Sequence, residues 1–382
     1  MKKCLIIGAY GCGNRGDDAI LQSISQQLSN FQITATNGTY EDMAEYLSIK
    51  TIPCRMNEGI SLPVVFSMIK DSFSILFHVV KADAIIYGGG SLIHDLTRYN
   101  LPFLYFWHMV AKILRKKVYY ANMGVGPLRT KTGKQLSRYF LKRADGVFVR
   151  DERGLKICKD LGICNAVLVC DAAFAVTDIS PNKNDLLARF ELEERNYACV
   201  TVSGWFESSN FWDRKHIDFK MQTEKLAQEI KEFYKIINKK LVFVPTVTYD
   251  IKLLETLKDL LEDCDCIIIP PNYGCVEMAE IIANSYLLFG IRMHSIIFAA
   301  RRATPFISLI YDEKVQQVLH FLDMEAYACT IGQASPEKVA NITQNVIDHY
   351  TEIQNKLKTK ADAARIKALE CLNKIRSDLE AI

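Results

Sequence analysis

An α/β fold organised as two doubly wound units is what this sequence predicts, and three observations predict it. Short apolar runs at 4–7, 83–87 and 118–121 alternate with segments of helical apolar spacing, the pattern of parallel strands linked by helices. Several of these runs pass directly into glycine, as strands do where the chain must turn into the next helix. The 382 residues exceed what one core normally organises, and the alternation restarts after a polar stretch at 180–185.

Composition narrows the function. Hydrophobic residues make up 49% of the chain, enough for substantial cores, and a formal net charge of +3 leaves no electrostatic footprint for nucleic acid. The 12 cysteines are scattered through strand-like runs, and Cys264 and Cys266 lack a second close pair of ligands. We therefore expect free thiols in a reducing cytoplasm, with no disulfide framework, metal site or bound cofactor. Residues 1–7 read as a first strand, not a signal peptide, and Lys70 and Asp71 interrupt the apolar run at 62–80 before it could span a bilayer.

The first strand, 4–7, runs into Gly8-Ala9-Tyr10-Gly11-Cys12-Gly13-Asn14-Arg15-Gly16-Asp17-Asp18, and a helix follows with Ile20, Leu21, Ile24 and Leu28 on its apolar side. Gly11, Gly13 and Gly16 match a dinucleotide fingerprint in form. Asp17 and Asp18, however, stand where a pyrophosphate would dock, and two carboxylates there repel phosphate but suit sugar hydroxyls. The plainer reading of Asp17 is a helix cap. The strand at 83–87 ends in Gly88-Gly89-Gly90-Ser91, where three glycines permit close backbone approach of a ligand. His94 follows, either a ligand contact or a partner of Asp95.

Residues 101–114 form an aromatic-rich apolar helix ending in Arg115-Lys116-Lys117. We expect a buried helix with a solvated cationic end; the sharper reading is an edge resting on anionic lipid. Strands at 118–121, 144–149 and 167–170 complete the first half. Arg150 stands at a strand's carboxyl end, either an anion ligand or a salt-bridge partner of Asp151 or Glu152.

In the second half, strands are expected at 197–202, 241–244, 266–269, 286–289 and 306–310, with a ligand-facing loop at 204–216. After 286–289 come Gly290-Ile291-Arg292-Met293-His294 and then a helical apolar run. Ligands bind outside such strand ends. Arg292 offers a planar fork for carboxylate or phosphate, and His294 can exchange a proton near neutral pH. Together they suit a small anion that must be both held and protonated; the plainer reading is a surface arginine beside a capping histidine. Lys314 is a further anion contact or a solvated helix-start lysine. Beyond Pro336 two helices are expected, the second largely solvated.

These stretches together resemble the polysaccharide pyruvyl transferase family. The resemblance runs from Gly8 to about Val315 and rests on the glycine-rich opening ending Gly16-Asp17, on Gly88-Gly89-Gly90-Ser91, and on Gly124-Val125-Gly126-Pro127. It continues through Val149-Arg150-Asp151, Asp171 and Phe174, Arg292-Met293-His294, and Pro305 with Tyr311 and Lys314. Asp18 departs from the family's usual Glu, His94 from Gln, Ala172 from Pro and Met293 from Leu.

The resemblance implies two Rossmann-like domains facing across a cleft in a glycosyltransferase B-like architecture. The expected division is 1–179 on the acceptor side, a linker at 180–185, 186–332 on the phosphoenolpyruvate side, and terminal helices at 333–382. It implies transfer of the enolpyruvyl group of phosphoenolpyruvate, a co-substrate, onto two hydroxyls of one sugar as a cyclic ketal. Arg150, Arg292 and His294 would hold phosphoenolpyruvate, with Lys314 beside them. Gly13, Asn14, Asp17, Asp18, Gly89, Gly90 and Ser91 form the expected acceptor set, and His294 and Asp17 the proton donor and acceptor. The acceptor would be a glycan or lipid-linked precursor of a cell-surface polymer; the protein is expected in the cytoplasm, and the lipid-edge reading of 101–117 would add a peripheral contact at the inner face of the membrane. Two other readings compete: a nucleotide-sugar glycosyltransferase of the same architecture, and a non-catalytic glycan- or nucleotide-binding protein.

Overall fold

A computed structural model describes residues 1–38, 43, 47–54, 62–177, 183–204 and 219–381. Of the expected linker at 180–185 and loop at 204–216, residues 180–182 and 205–216 lie outside the described residues, and 183–185 are helical. The chain forms two compact units, Met1–Thr177 with Ala364–Ile382, and Asp178–Ala363.

Unit 1 contains β1 (Lys3–Ile7), α1 (Arg15–Gln27), β2 (Gln32–Asn37), β3 (Lys50–Pro53), α2 (Leu62–Lys81), β4 (Ala84–Gly88) and α3 (Asn100–Ile113). It continues with β5 (Lys117–Met123), α4 (Lys131–Leu141), β6 (Gly146–Val149), α5 (Glu152–Asp160) and β7 (Ala166–Leu168). Among the described residues its strands form a parallel sheet in the order β3-β2-β1-β4-β5-β6-β7. Helices cover both faces, so Cys4 to Ile7 and Ala84 to Tyr87 are buried along their whole length and read as continuous apolar runs. The strand order reverses at β1, which pairs with β2 on one side and β4 on the other. A crevice opens at such a reversal, beyond the carboxyl ends of the two central strands.

Unit 2 contains α6 (Lys183–Ala188), β8 (Tyr197–Thr201), α7 (Phe219–Ile237), β9 (Lys240–Phe243), α8 (Ile251–Leu260), β10 (Cys266–Ile268) and α9 (Cys275–Ala283). β11 (Leu287–Gly290), α10 (Met293–Arg301), β12 (Phe306–Ile310), α11 (Glu313–Leu322), β13 (Ala328–Thr330) and α12 (Pro336–Asp348) follow. Its parallel sheet runs β10-β9-β8-β11-β12-β13, with the reversal between β8 and β11.

Three strands were not expected. β2 and β3 carry Thr, Asn, Lys and Pro, and β13 spans only three residues at a sheet edge, too short to show a period. The last helix is largely solvated, as expected, but carries one buried face. In α13 (Tyr350–Glu380), Ile353, Leu357, Ala361, Ala364, Ala368, Cys371, Ile375 and Leu379 form one buried seam at three- and four-residue spacing. Its last turns belong to unit 1, where the Asn122 amide donates to the Cys170 and Ala368 carbonyls at 2.7 and 3.2 Å. Among the described residues no helix is long and apolar enough to cross a membrane.

Candidate functional site

In unit 1 the loop after β1 separates two adjacent carboxylates. Asn14 caps α1: its Oδ1 accepts from Gly16 N at 3.1 Å, and its Nδ2 donates to Asp17 Oδ2 at 2.7 Å. Asp17 is therefore not the cap but a first-turn residue, partly exposed. Asp18 is 1% exposed and belongs to the loop's framework. Its Oδ1 accepts from Gly11 N at 2.9 Å, and its Oδ2 lies 3.4 Å from Arg15 Nη1. Gly13, at φ 77°, supplies the left-handed step before the cap.

The glycines at the end of β4 pack closely against protein side chains. A Cβ on Gly88 would stand 2.9 Å from the Tyr10 hydroxyl, and one on Gly89 3.1 Å from the Tyr10 ring. Tyr10 is fully buried, so these glycines make room for an aromatic plug between the two loops. A Cβ on Gly90 would come within 2.5 Å of Asp17 Oδ1, so Gly90 holds open the place of that carboxylate.

Arg150, at the carboxyl end of β6, joins the same group. Its Nη1 donates to Asp171 Oδ2 at 2.8 Å, its Nη2 to Ser91 Oγ at 3.1 Å, and its Nε lies 3.7 Å from Asp151 Oδ2. Burial opposes the charge on Arg150, but Asp171 and Asp151 outweigh it and hold the guanidinium more firmly protonated than usual. The chain Asp171–Arg150–Ser91 thus ties three strand ends together. The structure brings Arg150 to the expected acceptor residues of unit 1, and places Arg292, His294 and Lys314 in unit 2. His94 Nδ1 accepts from Leu96 N at 3.2 Å, while Asp95 accepts from Arg129 N, Thr130 N and Thr130 Oγ1.

In unit 2, Arg292 stands where the chain leaves β11, in extended backbone at the N-cap of α10. Its Nε and Nη2 donate to the two oxygens of Asp250 at 2.8 and 2.6 Å, and Nε also reaches the Val202 carbonyl at 3.3 Å. Val202 follows β8, so this guanidinium bridges the switch point of the sheet. Asp250 is 1% exposed and also accepts from Gly204 N at 3.0 Å; the Arg292 side chain is 14% exposed. The Tyr249 ring centroid lies 5.3 Å from the guanidinium carbon.

His294 is two residues on, in the first turn of α10, with Nε2 shielded from solvent. Ser295 fixes this turn: its Oγ donates to the Arg292 carbonyl at 2.6 Å and meets Thr201 Oγ1 at 2.7 Å. Tyr311 follows the neighbouring strand β12, with Lys314 Nζ 5.4 Å from its ring centroid. Burial would raise the Tyr311 phenol, yet Lys314 and Arg292 pull it below the ordinary tyrosine range. Lys314 and Arg292 are thus the cations that stand near this phenol at the ends of β11 and β12.

Sequence reasoning missed Asp250 and Tyr249. A carboxylate just beyond β9, at the carboxyl edge of the sheet, was the available signal. Among the described residues no group of three or more His, Cys, Asp or Glu side chains is placed to hold a metal ion.

Comparisons with known proteins bear on fold and family separately. The chain is 24% identical to the amylovoran biosynthesis protein AmsJ of Erwinia amylovora over 99% of both sequences. Among solved structures, S. aureus MnaA, determined with UDP, superposes at a TM-score of 0.67 with 13% identity, covering 100% of this chain and 98% of that one. The UDP-GlcNAc 2-epimerase of Neisseria meningitidis, bound to UDP-GlcNAc, gives 0.65 with 11% identity, covering 98% of this chain and 100% of that one. At such identities these structures establish the fold alone, two Rossmann-like domains of the glycosyltransferase B kind. A sequence model of polysaccharide pyruvyl transferase matches residues 14–313, and this chain belongs to that family, transferases that act in polysaccharide biosynthesis.

Proposed function

We propose that the chain transfers the enolpyruvyl group of phosphoenolpyruvate onto two hydroxyls of one sugar, giving a cyclic ketal on a glycan or lipid-linked precursor. The observation that carries this reading is the cationic set of unit 2. Arg292, its fork aimed by Asp250, stands beside His294, and Lys314 depresses Tyr311 at the next strand end. Phosphoenolpyruvate brings a carboxylate and a phosphate, which a guanidinium and an ammonium recognise.

In this scheme His294, protonated, gives its proton to C3 of the enol while an acceptor hydroxyl adds to C2. The C2–O bond to phosphate then breaks, and the second hydroxyl of the sugar closes the ketal at the resulting cation. A carboxylate takes the first hydroxyl proton, gives it to the departing phosphate and then takes the second; Asp17, held in place by Asn14 and Gly90, is the group we assign. The Asp171–Arg150–Ser91 chain keeps the loop after β4 in register. Phosphoenolpyruvate is a co-substrate here, and the scheme calls on no other cofactor. The scattered cysteines of the sequence suit a reducing compartment, and the cytoplasm is the one we propose.

Calorimetric titration with phosphoenolpyruvate and, separately, with UDP and UDP-sugars tests the reading. We expect saturable binding of phosphoenolpyruvate that Arg292→Lys weakens. Tight UDP-sugar binding with no response to phosphoenolpyruvate would overturn it in favour of a glycosyltransferase.

A further inference from the structure

Two helices of unit 1 turn apolar side chains outward. On α2, Ile75 and Val79 face the core, while Phe73, Leu76, Phe77 and Val80 are 69, 39, 51 and 51% exposed. Positions 73, 76, 77 and 80 fall on one helix face. On α3, Leu104, Trp107 and Ala111 are buried, whereas Phe106 and Ile113 are 55 and 74% exposed. The helices are neighbours: β4 and β5, which they precede, pair in parallel, and Lys116 Nζ donates to the Val80 carbonyl at 2.8 Å. Single exposed apolar residues need no explanation, but a stripe on each of two adjacent helices marks an interaction surface.

Charge identifies the occupant. Asp71 is the sole carboxylate in the sequence of either helix, and it is buried. Cations gather where both helices end. Lys81 Nζ lies 3.9 Å from the Phe77 ring centroid, and Arg115 and Lys116 follow α3. Beside Phe77, at the amino ends of β1, β2 and β3, a pocket is lined by Lys3, Lys50, Lys81 and His78. Among the described residues His78 Nε2, though buried, has no hydrogen-bond partner.

We infer that this face docks unit 1 onto an anionic phospholipid surface, the stripe entering the acyl boundary and the lysine pocket receiving a headgroup phosphate. Apolar insertion together with basic attraction is the pairing that peripheral anchoring requires. A second copy of the chain would bring the same cations to the contact. At its other end α3 starts at Asn100, whose amide donates to the Leu92 and His94 carbonyls, so the docked face reaches the loop that carries Ser91. No residue of the unit 2 cationic set takes part, so this inference stands or falls separately from the proposed chemistry.

Vesicle flotation of the full-length chain tests it, using phosphatidylcholine with and without phosphatidylglycerol. We expect flotation with phosphatidylglycerol vesicles that fades as salt rises. Phe73→Ser with Phe106→Ser should abolish it, and Lys81→Glu with Lys116→Glu should weaken it by roughly fivefold or more per residue. All variants should melt with the wild type and titrate phosphoenolpyruvate as it does. Equal flotation with neutral vesicles, or none with either, overturns the inference. So does a dimer that the serine variant splits without changing flotation, which would make the face a protein interface.

Discussion

Asp250 accepts hydrogen bonds from two guanidinium nitrogens of Arg292, at 2.8 and 2.6 Å, across 42 residues of sequence. Asp250 takes the Nε and Nη2 edge of the fork, and in the proposed function the Nη1 side is the one that meets the phosphoenolpyruvate. The charge of the pair is locally balanced, so its contribution lies more in direction than in net field.

Arg292→Lys keeps the charge but has one nitrogen where the fork has three. Loss of one charge-assisted hydrogen bond to phosphoenolpyruvate should weaken binding by roughly 10- to 100-fold. Arg292→Met should also lower stability, by about 3–5 kcal/mol, because Asp250 is left buried and unpaired. Calorimetry separates the first effect and urea denaturation the second. A lysine variant that binds like the wild type would remove Arg292 from the site.

The two carboxylates of the β1–α1 loop should answer differently to substitution. Asp18→Ala strands the buried Gly11 N–H and should cost about 1–3 kcal/mol of stability. Asp17→Asn should leave the melting temperature nearly unchanged and lower turnover by roughly 100-fold or more if Asp17 is the base. Gly90→Ala should mimic it with Asp17 intact, since the added Cβ would come within 2.5 Å of Asp17 Oδ1 and must displace it. Turnover and melting curves on the three variants check this. Normal turnover in Asp17→Asn would make the carboxylate a loop anchor only.

Much of this arrangement was legible in the chain, for an identifiable reason. Strands buried on both faces, such as β1, β4 and β11, cannot carry polar residues, and the turns after them show as glycine. Arg292 and His294 stood out because they follow such a strand directly. What stayed hidden depends on contacts distant in sequence. Nothing near Arg292 points to Asp250, and Tyr10 looks like any loop tyrosine until Gly88 and Gly89 pack on it. The apolar spacing of α13 was legible, but not that its last turns belong to unit 1. Arg150 was legible as a strand-end cation, but Asp171, its main partner, follows a different strand.

Acid should destabilise unit 1 through His108. Burial first, then Lys112 and Arg143, push its imidazole down from 6.5 to about 4, and Nδ1 meets the Tyr120 hydroxyl at 3.1 Å. Because the folded value is the lower one, the unfolded chain binds the extra proton between these limits. The contribution is therefore complete above about pH 6.5 and is lost as pH falls toward 4, by about 3 kcal/mol. His108→Gln, which cannot take up this proton, should flatten that limb of the stability profile. Urea midpoints at near-neutral and acid pH check it; an unchanged acid limb would place the sensitivity elsewhere.

His294 is the residue on which the proposed chemistry turns. Its backbone is set by Arg292 at the N-cap and by Ser295, whose hydroxyl bonds the Arg292 carbonyl, so replacing the imidazole should leave the turn intact. His294→Ala should bind phosphoenolpyruvate within a few-fold of the wild type, because in the proposed scheme Arg292 and Lys314 carry the anion. Turnover should fall by about 10²- to 10⁴-fold, the usual weight of a positioned acid. Added imidazole should restore part of that loss in His294→Ala and none in Arg292→Lys, since a small diffusible acid can replace a proton donor but not a fork. In deuterated water each rescued turnover should place one solvent deuterium on the methyl group of the ketal product. Full turnover without imidazole would show that His294 is only a structural member of the α10 turn, and C3 would then be protonated by another group, for which Tyr311, its phenol already lowered by Lys314 and Arg292, is the nearest chemical fit.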